Sequence, residues 1–388
     1  MKKVLVPRVR FKGFSEEWKE EKFGELLFRI NEKGYEFLDT LTASKSGEML
    51  KRKSINYHIQ VAKESLKNYN RVLKNDFVLH LSTYESGLAY SKEIGITSPA
   101  YDVLRFFDKN NNDPIFFKYV FSNKKFINSL VPFTYGLRQG KSINLEELNK
   151  SLIEKTNISE QQKIGKLLDQ ISNLISLEEI KLNKLKQLKE TLLQKMFPEG
   201  NSKTPRIRFK WFSKEWKEER LEETVNILDN LRIPVKESLR SPGAYKYYGA
   251  NGIQGKINGY THQGENILIA EDGANDLNNY PLIFEKNKIW VNNHAHVVTS
   301  NNPNLLKNYF LYLSLKKVNF SDYILGTQRY KLTLSNLKEV LFVITKNIDE
   351  QQKIGDFFCK IDTLINLYNS KLNKLKQIKE SLLQKMFV

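Results

Sequence analysis

Apolar side chains return every three or four residues along two long stretches of the chain. In the first they fall at Ile164, Leu168, Ile171, Ile175, Leu182, Leu185, Leu188, Leu192 and Met196, with a polar interruption at Glu178. That spacing places them on one face of an α-helix. The second stretch runs through Ile354, Phe358, Ile361, Ile365, Tyr368, Leu372, Leu375, Ile378, Leu382 and Met386 at the same phase and holds no proline. Each predicts a helix of roughly 38 residues, or about 57 Å at the helical rise. A lone helix with such a stripe would expose it. The two stripes are therefore expected to bury each other, antiparallel because a globular stretch separates them in the chain.

The remaining sequence reads as alternating strands and short helices. NDFVLHLS at 75–82 predicts a buried strand, and ENILIAED at 265–272 predicts its counterpart. Asp113-Pro114 opens the apolar helical run PIFFKYVF, and Asn302-Pro303 opens PNLLKNYFLYL; an N-cap residue followed by proline marks a helix start. These parallels belong to an internal repeat. EQQKIG stands at 160–165 and again at 350–355, LNKLKQLKETLLQKMF at 182–197 returns as LNKLKQIKESLLQKMF at 372–387, and PRVRFKGFSEEWKEE at 7–21 returns as PRIRFKWFSKEWKEE at 205–219. The expected fold is mixed α/β with an approximate two-fold repeat. Residues 1–157 form one domain, 158–197 a helix, 198–347 a linker and second domain, and 348–388 a second helix of an antiparallel coiled coil.

Composition narrows the class of partner. The 62 Lys+Arg against 44 Asp+Glu leave a formal charge of +18, which favours a polyanion such as nucleic acid. One cysteine, Cys359, excludes an internal disulfide and a cysteine-rich zinc module, so the expected location is the cytoplasm. No stretch approaches the length of a membrane span, and Pro7, Arg8 and Arg10 break any signal-like apolar core.

Of catalytic motifs the sequence holds fragments only. GLRQGKS at 136–142 resembles a phosphate loop but has three residues between its glycines where four are needed. NNHAH at 292–296 sets His294 and His296 on one face of a strand without a third ligand in register, so hydrogen bonding or DNA contact is preferred to metal. Glu271 and Asp272 are adjacent and point to opposite faces of an extended chain, a poor arrangement for shared acid–base work.

The twin EQQKIG-to-LLQKMF helices, the twin PR(V/I)RFK segments, and YKYYGANGIQGKINGY with ILIAEDG and WVNNHAHVV resemble the DNA-specificity subunit of a type I restriction-modification system. The first domain carries the resemblance mainly by position and through LHLSTYESGLAYSKEIGITSPAYDV. The resemblance implies a non-catalytic subunit with two target-recognition domains, each reading half of a bipartite duplex sequence, while the paired helices set the gap. It implies two modification and two restriction subunits as partners. S-adenosylmethionine, ATP and Mg²⁺ would be bound by those partners and not by this chain.

Base identity is read by side chains that present paired donors and acceptors, and phosphates by Lys and Arg. The contact residues expected in the first domain are Ser82, Thr83, Tyr84, Arg138, Gln139 and Lys141. In the second they are Tyr247, Tyr248, Asn251, Gln254, Lys256, Gln328, Arg329 and Lys331. Two other classes compete with this reading: a coiled-coil scaffold presenting two domains for non-DNA ligands, and a stand-alone nuclease or methyltransferase.

Overall fold

The computed structural model describes residues 4–55, 62–135, 142–200, 202–326 and 330–388. They form two compact units, Met1–Glu179 with Ser370–Val388, and Ile180–Asn369.

In the first unit, six strands form a sheet in the spatial order Leu27–Ile30, Asp102–Phe106, Phe77–Leu79, Ala89–Ser91, Glu48–Lys51, Leu41–Ala43. All pairings are antiparallel except that of Ala89–Ser91 with Glu48–Lys51. The helix Pro114–Phe121 lays its aromatic side against this sheet, with Phe121 at 5.1 Å from Phe77 and Phe117 at 5.0 Å from Phe106 between ring centroids. Its start is set locally, because Asp113 caps it by accepting from the Phe116 amide at 2.9 Å and Pro114 needs no donor there.

The second unit repeats the plan. Its four-stranded sheet runs Val225–Ile227, Ala295–Ser300, Asn266–Ala270, Leu282–Glu285, the same order as four adjacent strands of the first. A three-stranded sheet, Gly252–Ile257, Tyr245–Gly249, Ile289–Val291, is added. The domain helix covers Asn308–Leu315 and does not start at Asn302-Pro303, where only a turn forms as the Leu305 and Leu306 amides donate to the Asn302 carbonyl. The reason lies at Gln351, whose Oε1 accepts from the Lys307 amide at 2.9 Å and whose Nε2 donates to the Leu305 carbonyl at 3.0 Å, fixing the helix start at Lys307.

The long helices span Ile158–Lys195 and Ile348–Lys385. Within the first unit, Ile164 and Leu168 share a core with Met386, whereas Glu178 meets Lys371 at 3.0 Å, so the two helical segments run antiparallel. Within the second, Ile354, Phe358 and Ile361 share a core with Leu193 and Met196, and Lys189 meets Asp362 at 2.6 Å. Much of each stripe is buried by its own α/β domain and not by the opposite helix. Phe116, Phe117 and Leu130 share a core with Ile164 and Leu168, Phe310 and Leu337 share one with Ile354 and Phe358, and Leu185 and Ile365 pack against the second core. Leu182 and Leu372 are buried, Ile171, Ile175 and Leu375 half-buried, but Leu188 and Ile378 are 50% and 42% exposed, so the expected seam breaks there.

The repeated hexapeptide has a structural task. Glu160, fully buried, accepts both Arg10 Nε at 2.6 Å and Nη2 at 2.8 Å, and also the Thr156 hydroxyl. Gln161 accepts from the Asp113 amide at 2.8 Å and donates to the Thr156 carbonyl at 2.6 Å. The second copy matches bond for bond: Arg208 reaches Glu350 at 2.6 and 2.8 Å, Thr345 donates to Glu350 at 2.6 Å, and Gln351 holds the domain helix as above. One buried acid and one amide thus tie the opening segment, the domain helix and the long helix together.

Candidate nucleic-acid interface

In the second domain three turns converge at one end of the sheets. They are the hairpin turn between Tyr245–Gly249 and Gly252–Ile257, the loop after Asn266–Ala270, and the turn between Ile289–Val291 and Ala295–Ser300. Ala250, Asn251, Gly252, Ile253, Gln254, Asp272, Gly273 and His294 line a cleft there.

The polar groups of this cleft divide into holders and presenters. Asn251 is exposed, yet its amide is committed: Nδ2 donates to the Gly273 carbonyl at 2.7 Å and Oδ1 accepts from the Asn275 amide at 3.1 Å. Gln254 is exposed and lies across Gly249, where a Cβ would collide with its amide. The buried Asn292 accepts from the His294 amide at 2.8 Å and shapes the turn. His294 Nδ1 lies 2.5 Å from Asp272 Oδ1, with the ring 39% exposed.

Tyr247 and Tyr248 are corrected by the structure. They are 1% and 2% exposed, and consecutive strand residues are both covered because each face of this sheet is packed. The Tyr247 hydroxyl bonds Val235 backbone groups beneath the Arg240 guanidinium, and Tyr248 donates to Glu285. Burial, with the Glu285 carboxylate beside it, raises the Tyr248 phenol far above its ordinary range. Both hold the hairpin in place. Lys256 is exposed on the strand opposite Lys246, and exposed Lys331 pairs through its backbone with Leu325 at 2.9 and 3.0 Å. Gln328 and Arg329 lie outside the described residues.

In the first domain, Ser82 is exposed and Tyr84 half-buried against the core, but Thr83 is fully buried with its hydroxyl accepting from the His80 amide at 2.8 Å. Thr83 therefore closes a turn and presents nothing to a ligand. Arg138, Gln139 and Lys141 lie outside the described residues. His80, which the sequence did not single out, directly follows the strand Phe77–Leu79, and Asp272 lies in the loop after the matching strand Asn266–Ala270. Burial holds its imidazole down at about 4.

Behind the second cleft, Asp229, Glu271 and His296 bring ligand atoms close enough for a metal ion. Their hydrogen bonds are otherwise engaged. His296, 1% exposed, places Nδ1 2.6 Å from Asp229 and Nε2 2.8 Å from the Leu332 carbonyl, while Arg232 sits 2.6 Å from Glu271 and 3.1 Å from Asp229. The guanidinium already offsets the carboxylates, as expected of a structural ion-pair cluster.

A sequence profile described as the Type I restriction modification DNA specificity domain matches residues 213–377, which take in this cleft and most of the second long helix. Over that segment, somewhat less than half of its length, the chain is similar to the type I restriction-modification DNA-specificity domain. The chain is also similar to the putative type I restriction enzyme specificity subunit S.HindORF215P of Haemophilus influenzae, to which it is 48% identical over 126 residues. That match spans 32% of this chain and 32% of the relative, about a third of its length. The crystal structure of a type I restriction-modification system S subunit from M. genitalium is 18% identical, covers 99% of both chains and gives a TM-score of 0.70, which shows a shared fold. Among the described residues, no helix is long and apolar enough to cross a membrane.

Proposed function

We propose that this chain is the sequence-reading subunit of a type I restriction-modification complex, and that it positions catalysts without being one. Each α/β domain would read one half of a bipartite duplex target at its turn cluster, with the long helices setting the gap. Modification and restriction subunits, two of each, would supply S-adenosylmethionine-dependent methylation and ATP- and Mg²⁺-dependent cleavage. The observation that carries the reading is the pairing of one framework with two different corners. Sheet order and hexapeptide clasp recur in both domains, while the loops after the matched strands hold His80, Ser82 and Tyr84 in one and Asp272, Gly273 and Asn275 in the other. The formal charge of +18 suits a phosphate backbone.

The test is co-expression with a modification subunit of the same family, followed by mapping of adenine methylation across a genomic library. The expected result is a motif of two unlike halves with a fixed gap, and replacement of residues 211–345 by another specificity domain should change one half alone. A complex that forms and methylates without any motif would favour a scaffold for non-DNA ligands.

A further inference from the structure

We infer that His294, held by Asp272, is a base-reading residue of the second domain that accepts a hydrogen bond from the exocyclic amino group of a base. This inference rests on the DNA-reading function proposed above and names a reader within it.

The two histidines of NNHAH have opposite fates. His296 spends both ring nitrogens on Asp229 and the Leu332 carbonyl inside the domain. His294 spends one. Its Nδ1 lies 2.5 Å from an Asp272 carboxylate oxygen, and a carboxylate only accepts, so the hydrogen sits on Nδ1. In the neutral ring Nε2 then keeps its lone pair, and among the described residues it has no hydrogen-bond partner. The backbone that carries the ring is also held, since the buried Asn292 accepts from the His294 amide at 2.8 Å. Asn292 Nδ2 lies 3.5 Å from Gln254 Oε1, which sets the glutamine amide beside the histidine in the same cleft.

The chemistry presented is an oriented acceptor next to an amide that can both donate and accept. A base edge offers the complementary donor only at an exocyclic amino group: adenine N6 or cytosine N4 in the major groove, guanine N2 in the minor groove. His296, by contrast, turns both nitrogens inward. Fixing the tautomer through the second nitrogen is how a histidine is given a defined role at the first.

The experiment selects bound duplexes from a randomised library with the full chain co-expressed with its modification subunit, for wild type, His294→Ala and Asp272→Ala. The wild type should yield a bipartite motif. His294→Ala should relax one position of one half by roughly fivefold or more and leave the other half intact. Asp272→Ala, which leaves the ring present but frees its tautomer, should relax the same position. Purine for adenine, 2-pyrimidinone for cytosine or inosine for guanine at that position should weaken wild type and leave His294→Ala unchanged, and whichever analogue acts identifies the base. An unchanged motif in His294→Ala, or an equal loss on every sequence, overturns the inference while the proposed function stands. Absence of any motif in the wild type overturns both.

Discussion

The same glycine occurs at the end of both hexapeptides, and the structure assigns its two copies opposite responses to alanine. At Gly355 a Cβ would meet only the Tyr309 ring at 3.8 Å, an ordinary contact. Alanine there gains helix propensity, so Gly355→Ala should stabilise the second unit by about 0.5–1 kcal/mol. At Gly165 the Cβ would lie 2.8 Å from Asp113 Oδ2 and 2.8 Å from the Phe116 amide nitrogen. Neither neighbour gives way easily, because that carboxylate caps that amide and the Asp113 backbone is held by Gln161. Overpacking of this kind costs about 1–3 kcal/mol, which outweighs the propensity gain and leaves a net loss of about 1–2 kcal/mol. Hydrogen exchange in the full chain, read on peptides from residues 158–172 and 348–362, separates the two units. Since 1.4 kcal/mol is a factor of ten, Gly355→Ala should slow exchange about two- to fivefold and Gly165→Ala should speed it about five- to thirtyfold in their own segments. Shifts of the same sign in both variants would refute the packing argument.

Two further outcomes follow from buried polar groups. Arg208→Ala leaves Glu350 buried without its guanidinium and should cost about 3–5 kcal/mol by chemical denaturation, whereas Arg208→Met with Glu350→Leu should recover most of that loss; a change below about 1 kcal/mol in the single variant would remove the clasp from the stability account. His80 is held neutral, with a folded value of about 4 against 6.5 in the unfolded chain, so its contribution is fully present above pH 6.5 and declines as pH falls towards 4, by about 3 kcal/mol at most. Unfolding free energies measured between pH 7 and 4.5 should therefore fall more steeply for wild type than for His80→Gln, and parallel slopes would exclude burial of the ring as the cause.

The long helices could be read from sequence because a 3.6-residue period survives over ten turns, and the repeat could be read because its letters coincide. Period identifies an apolar face but not what covers it. Ile164 and Phe358 therefore read as seam positions, although each packs into the core of its own unit. The Asn302-Pro303 signal was outweighed by Gln351, which bonds the Lys307 amide from 44 residues beyond Lys307. Tyr247 and Tyr248 looked like surface aromatics because alternation should turn one of them outward, yet a second sheet and Arg240 cover the outward face.

The cleft was only partly legible for the same reason. Its polar groups come from three turns spread over residues 250–294, and nothing in their spacing says that Asn251 would be consumed by the neighbouring loop while His294 Nε2 would have no partner among the described residues. Recognition residues are difficult to read because the framework fixes their positions while their identities follow the ligand. In this chain, identical hexapeptides build each framework and unlike turns finish it. The sequence repeat thus locates the framework, and the hydrogen-bond partners of each exposed side chain decide which residues are left to meet a ligand.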